Sequence, residues 1–159
     1  MMLWPENSIP DTFTVCSVTR YTGAARWNIL NCNQSPSQGA NWFHGHHSAW
    51  GGAQAYYSGF KTSHPVRVLD DWRVMCGTNA GATLPGNILL DRDEIGTADG
   101  GTGGCRLNIG YFQATDWALH ALLIWNYSLG TVPARWHTST TLSQLLLTWF
   151  LPWRDLGMR

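Results

Sequence analysis

Polar and apolar positions alternate clearly in the first strand candidate, Thr12 to Arg20. Phe13 and Val15 fall on one face, while Thr14, Cys16, Val18 and Arg20 fall on the other. That period of two belongs to a strand with one buried face. Tyr21-Thr22-Gly23-Ala24 reads as a turn, and Arg26 to Cys32 returns as a second strand, so the two segments read as a hairpin. Asn33 to Ala40, rich in Gln, Ser, Pro and Gly, is a loop. Further strands are predicted at Asn41 to His46, Ala53 to Thr62, Trp72 to Thr78, Asn87 to Asp91, Cys105 to Tyr111 and Ala118 to Trp125. Glycine and asparagine clusters, notably Gly77 to Gly81 and Gly100 to Gly104, separate them. Many short strands with evenly spaced turn signals specify an antiparallel sandwich and not βαβ units.

The period changes near the end of the chain. Leu142, Leu145, Leu146, Trp149, Phe150 and Trp153 recur at i, i+3, i+4, i+7, i+8 and i+11. This is one face of a short helix, with Thr140 or Thr141 as N-cap and Pro152 limiting its last turn. The chain therefore divides into a β-sandwich over 1–130 and a partly helical extension over 131–159. That extension is expected to pack on the sandwich or on a neighbouring chain.

Composition sharpens this picture. Lys61 is the only lysine, and Glu6 and Glu94 are the only glutamates, whereas there are ten tryptophans and seventeen glycines. A chain poor in helix formers and rich in aromatic residues suits pleated sheets. Net charge is zero and no Lys/Arg stripe is present, which argues against nucleic-acid binding. The longest apolar stretch, Leu142 to Trp153, is too short for a membrane span and contains Pro152. The start, Met1-Met2-Leu3-Trp4-Pro5-Glu6, has no charged n-region or apolar h-region. Either the chain is cytosolic or it is a mature domain or fragment of something longer, and we read it as the second.

Four cysteines, Cys16, Cys32, Cys76 and Cys105, form an even set without a Cys-x-x-Cys pair. Three pairings are open to them, besides buried free thiols. The hairpin reading favours Cys16 with Cys32, leaving Cys76 with Cys105. Two sequons for N-glycosylation occur, at Asn33 and Asn126, the first followed by Pro36. Disulfides and sequons together point to an extracellular or cell-surface location.

Several segments resemble one family. The opening run Trp4 to Val15, and the segments Asn41-Trp42-Phe43-His44-Gly45-His46, Trp72 to Asn79 and Leu122 to Leu129, are similar to strands of laminin-G-like jelly-roll domains. These domains belong to the concanavalin A-like lectin and glucanase superfamily. The resemblance covers about the first four-fifths of the chain. Beyond Gly130, where the family continues with a short Glu-containing helix, this sequence departs from it with Thr131-Val132-Pro133. The resemblance implies a two-sheet antiparallel jelly-roll sandwich, recognition of carbohydrate or protein outside the cell, and in some members calcium.

Candidate chemistry follows from particular residues. His44 and His46 would share a strand face with His47 opposite, yet no Glu or Cys lies nearby in sequence to complete a zinc site. Asp91, Asp93 and Asp99 could form a sandwich-loop calcium site; an EF-hand is excluded because Ile95 and Thr102 stand where carboxylates are required. Glycoside hydrolysis needs two facing carboxylates, and no strand of alternating acids exists. No G-x-S-x-G elbow or P-loop is present either, so the chain is read as a non-enzyme. Sugar recognition uses aromatic platforms with a few directional polar groups. Trp42, His44, His46, Trp50, Tyr56 and Tyr57 are concentrated in sixteen residues and form the expected ligand surface, with Asn79 and Asn87 as further amide contacts. The expected function is a lectin-like module that binds glycans or glycoprotein surfaces. The rival is a structural protomer that self-associates into an extracellular filament, sheath or matrix.

Overall fold

A computed structural model describes residues 2–32, 42–47, 52–62, 66–67, 70–79, 87–97, 100–110 and 114–128. Among them the chain is all β, with eleven strands and no helix. The amphipathic stretch 142–153, and the whole extension 131–159, lie outside the described residues.

The strands are β1 (Met2–Leu3), β2 (Thr14–Tyr21), β3 (Leu30–Cys32), β4 (Trp42–His47), β5 (Gly52–Tyr57), β6 (Val66–Arg67), β7 (Arg73–Thr78), β8 (Ile88–Leu90), β9 (Asp93–Gly96), β10 (Leu107–Ile109) and β11 (Trp117–Trp125). They form two antiparallel sheets, one of six strands in the order β1-β10-β3-β4-β5-β6 and one of five in the order β11-β2-β7-β8-β9. The sheets lie face to face. Phe13, Val15 and Tyr21 from the five-stranded side meet Leu30, Trp42, Ala53, Ala55, Tyr57, Leu107 and Ile109 from the other in one core. Every predicted strand has a counterpart here, because short β-favouring runs bounded by turn residues mark each segment locally.

One pairing differs from the sequence reading. Thr12–Arg20 and Arg26–Cys32 do not form a hairpin: β2 and β3 belong to different sheets. The connection between them is instead held by Asp116, whose carboxylate accepts from the Ala25 N–H at 3.0 Å and whose backbone exchanges hydrogen bonds with Thr22 and Ala25. The disulfide expectation is corrected with it. Cys16 sits opposite Cys76 on neighbouring strands β2 and β7, and these two are bonded, as are Cys32 and Cys105. Cys16 and Cys32 are kept apart because their strands lie in opposite layers.

The β8–β9 hairpin turns on Asp91 and Arg92, both at positive φ (50° and 86°), the backbone of a tight two-residue turn. Asp91 holds this corner in place through its side chain, which accepts from Val74 N–H at 2.9 Å and pairs with Arg73 at 2.7 Å.

Core packing leaves no room at Gly77. A Cβ there would lie 2.5 Å from the Tyr57 hydroxyl and 2.8 Å from Ile88 Cδ1. Neither neighbour can retreat cheaply, since both side chains are fully buried. Gly77→Ala is expected to destabilise the fold by about 2–3 kcal/mol through overpacking, measured as a lower urea midpoint with unchanged slope.

Candidate functional site

The alternation of β4 and β5 sorts the aromatic-rich segment into two faces. Trp42, His44 and His46 on β4, with Tyr57 on β5, point into the sandwich, and each is at most 1 % exposed. Trp42 stacks on Tyr57 at 5.7 Å and meets the Phe13 ring edge-on at 5.8 Å. These four residues of the expected ligand surface are therefore core, bridging the sheets. Trp50, the fifth, lies outside the described residues, and only Tyr56 stands on the outer face.

The two inward histidines are neutral links between the layers. His44 Nε2 lies 3.1 Å from the Met75 carbonyl, which can only accept, so Nε2 carries the proton. Its Nδ1 then accepts from the Tyr57 hydroxyl at 2.8 Å. His46 Nδ1 contacts Thr19 Oγ1 at 2.8 Å, again across the sandwich. Burial pushes both imidazoles down to about pH 4, with the nearby Arg73 guanidinium adding to the effect at His46. Burial also raises the Tyr57 phenol, so it stays protonated as the donor this network requires. With both nitrogens of His44 occupied, that ring has no lone pair for zinc. Among the described residues no group of three or more His, Cys, Asp or Glu is arranged to hold a metal ion.

Among the described residues the calcium candidates do not converge on a metal-holding group. Asp91 is neutralised by Arg73 and the Val74 N–H, Asp93 is exposed at the start of β9, and Asp99 lies outside the described residues. Asn79 is structural: its Oδ1 accepts from Phe13 N–H at 2.9 Å and its Nδ2 donates to the Asp11 carbonyl. Asn87 is buried. Of the two sequons, Asn33 is outside the described residues and Asn126 is exposed just beyond β11.

The opposite face of β4 and β5 holds the feature the sequence reading did not assemble. Phe43 lies between two partly exposed rings, stacked on His47 at 4.2 Å and on Tyr56 at 5.4 Å. Phe60 closes the group edge-on, 4.9 Å from Tyr56 and 6.1 Å from Phe43. Beside them Gln54 Oε1 accepts from His47 Nδ1 at 3.1 Å, which leaves His47 Nε2 as the ring's acceptor. Burial lowers the His47 pKa, so the ring is neutral near pH 7 and that acceptor is available.

A tight turn presents the outermost ring. Ser58 adopts φ 57°, a conformation that side chains avoid, and the chain folds back so that Tyr57 N–H donates to Gly59 O and Lys61 N–H to Ala55 O. Ser58 is also hydrogen-bonded to Thr102. This strained, doubly tied corner holds Phe60 with 60 % of its surface in solvent. Phe60 is thus a large ring kept exposed on a corner whose backbone carries strain. The signal was available in the sequence: Phe43 and His47 fall out of phase with Trp42, His44 and His46, as Tyr56 does with Ala55 and Tyr57.

No family model, curated protein or solved structure matches this chain.

Proposed function

We propose that the chain is a non-catalytic, laminin-G-like jelly-roll module that acts outside the cell and binds glycans, free or on a glycoprotein, through the Phe43–His47–Gln54–Tyr56–Phe60 face. The observation that carries this reading is the Tyr56–Phe60 pair, an edge-to-face platform held at the surface by a strained turn. The C–H face of a pyranose ring packs on such a platform, and His47, oriented by the buried Gln54, offers Nε2 as a directional contact beside it. Support for the jelly-roll arrangement comes from β2 pairing with the distant β11 while β10 returns to β3. Two disulfides favour an oxidising compartment. The non-catalytic reading fits the pairing of Asp91 with Arg73, which removes an acid from general acid–base use.

Phe60→Ala and Tyr56→Ala are each expected to weaken glycan binding at least tenfold, about 1.4 kcal/mol. Neither should change the melting temperature by more than a few degrees, because Phe60 is largely exposed and Tyr56 partly so. Retention on a glycan array, followed by calorimetry on the best ligand, checks this. A wild-type chain that retains no glycan overturns the reading.

The self-assembling protomer is the second reading. What favours it is β11, nine mostly apolar residues at the edge of the five-stranded sheet, with Leu123 38 % exposed. Such an edge is a template for pairing with another chain. Light scattering that shows polymers at micromolar concentration would favour it over the lectin reading.

A further inference from the structure

On the side of the sandwich where β1 and β11 form the sheet edges, a groove of about 520 Å³ opens between the N-terminal segment and the end of β11. Trp4, Pro5 and Pro10 line one wall, and Trp125, Asn126 and Tyr127 the other. Its walls are largely aromatic and proline rings, and Tyr127 is half exposed. Asn126 belongs to the acceptor triplet Asn126-Tyr127-Ser128 and is exposed. Its backbone neighbourhood is fixed, because Thr14 Oγ1 donates to the Tyr127 carbonyl at 2.8 Å. Thus the modifiable residue is itself among those lining the groove, with an aromatic residue of the same groove on either side of it in sequence.

We propose that Asn126 is an N-glycosylation site and that the first N-acetylglucosamine of its glycan lies in this groove as a covalently tethered filling. In the linking step the Asn126 Nδ2 attacks the anomeric carbon of an oligosaccharide carried on a polyprenyl pyrophosphate. The C–N bond forms as the C–O bond to pyrophosphate breaks, the pyrophosphate leaves with the electron pair, and the amide nitrogen loses one proton. No oxidant or reductant is involved. The sugar's C–H face then packs on Trp125 and Tyr127, and its acetamido methyl faces the prolines. Aromatic and proline surface that would otherwise contact water is covered. This site is separate from the Tyr56–Phe60 face and does not depend on what that face binds.

The test uses the full chain expressed behind a secretory leader in eukaryotic cells, as wild type and as N33Q, N126Q and S128A variants. Intact mass is expected to show a glycan that N126Q and S128A both remove and N33Q leaves in place. After trimming to a single N-acetylglucosamine, nuclear Overhauser contacts should join the C–H protons of the sugar ring to the Trp125 or Tyr127 ring, and the acetamido methyl to Pro5 or Pro10. That glycoform should melt about 2–4 °C above N126Q, the shift typical of one good contact in a domain of this size. Tyr127→Ala, at a half-exposed position whose tie to Thr14 runs through the backbone, should keep the glycan but lose at least half of that gain. An unmodified Asn126 in the folded, disulfide-bonded chain overturns the proposal. So does a glycan at Asn126 that gives neither ring contacts nor a melting shift.

Discussion

Titrated from pH 7.5 to pH 4, the chain is expected to lose on the order of 5–7 kcal/mol of folding stability, most of it to His44 and His46. Each imidazole is fully buried and neutral, with a folded pKa near 4 against an ordinary value of 6.5. Between those two pH values the unfolded chain binds protons that the folded chain refuses. Stability is therefore complete above about pH 6.5, falls as the pH drops towards 4, and levels off below that. A shift of about 2.5 units at 1.36 kcal/mol per unit is about 3 kcal/mol for each ring. Two rings give a loss comparable with the whole stability of a typical domain, about 5–15 kcal/mol. Protonation also breaks the network chemically. His44 Nδ1 would become a donor, and the Tyr57 hydroxyl that donates to it would have to turn and accept, leaving its own proton without that acceptor. Urea midpoints at half-unit pH intervals measure the slope. His44→Gln should flatten it by about half if the variant folds, and the ring resonances of the wild type should fail to titrate above pH 5 in any case. A midpoint independent of pH between 7 and 4.5 would show that the rings are not desolvated as described.

How far the sequence alone led can be seen at β4. Alternation there was clear enough to locate the strand, and it separates Trp42, His44 and His46 from Phe43 and His47. It does not say which face is inward, and the chemically richer set reads as a surface until the neighbouring strand is considered. The neighbouring strand holds the missing information: Ala53, Ala55 and Tyr57 run as an apolar phase interleaved with Gln54 and Tyr56, and an apolar phase faces a core. Phe60 was legible only as part of a strand over Ala53 to Thr62. Its exposure follows from the Ser58–Gly59 turn, whose geometry depends on ties to Ala55 and to Thr102, which is distant in sequence. Pairing between strands was the least legible level. Nothing within Thr12 to Cys32 shows that β2 belongs beside β7 and β11, because those partners lie about 60 and 100 residues further on. Period two specifies a face; it does not specify a partner. Local turn signals at Tyr21 to Ala24 therefore suggested a hairpin, and the cysteine pairing followed that suggestion into the same error.

Removing the Cys16–Cys76 bridge by the double substitution C16S/C76S is expected to cost about 4 kcal/mol, and C32S/C105S about the same. The two bridges close loops of 60 and 73 residues, and the entropy a cross-link takes from the unfolded chain grows with the logarithm of loop length. The loops overlap: Cys32 lies inside the first and Cys105 beyond it, so each bridge restricts the chain that the other closes. Loss of both should leave the chain unfolded at 37 °C, since the combined cost approaches the total stability of an average domain. Each bridge also acts within one layer. Cys16–Cys76 staples two central strands of the five-stranded sheet, and Cys32–Cys105 ties β3 to the segment entering β10 in the six-stranded sheet. Neither joins the layers; among the described residues apolar packing, His44, His46 and a backbone bridge between Thr62 and Gly96 do so. The double-serine variants should therefore steepen the acid transition only by lowering the starting stability, without moving the pH window in which it occurs. A peptide map under non-reducing conditions checks the premise directly. Fragments joining Cys16 to Cys76 and Cys32 to Cys105 are expected, whereas a fragment joining Cys16 to Cys32 would contradict the assignment of β2 and β3 to opposite sheets.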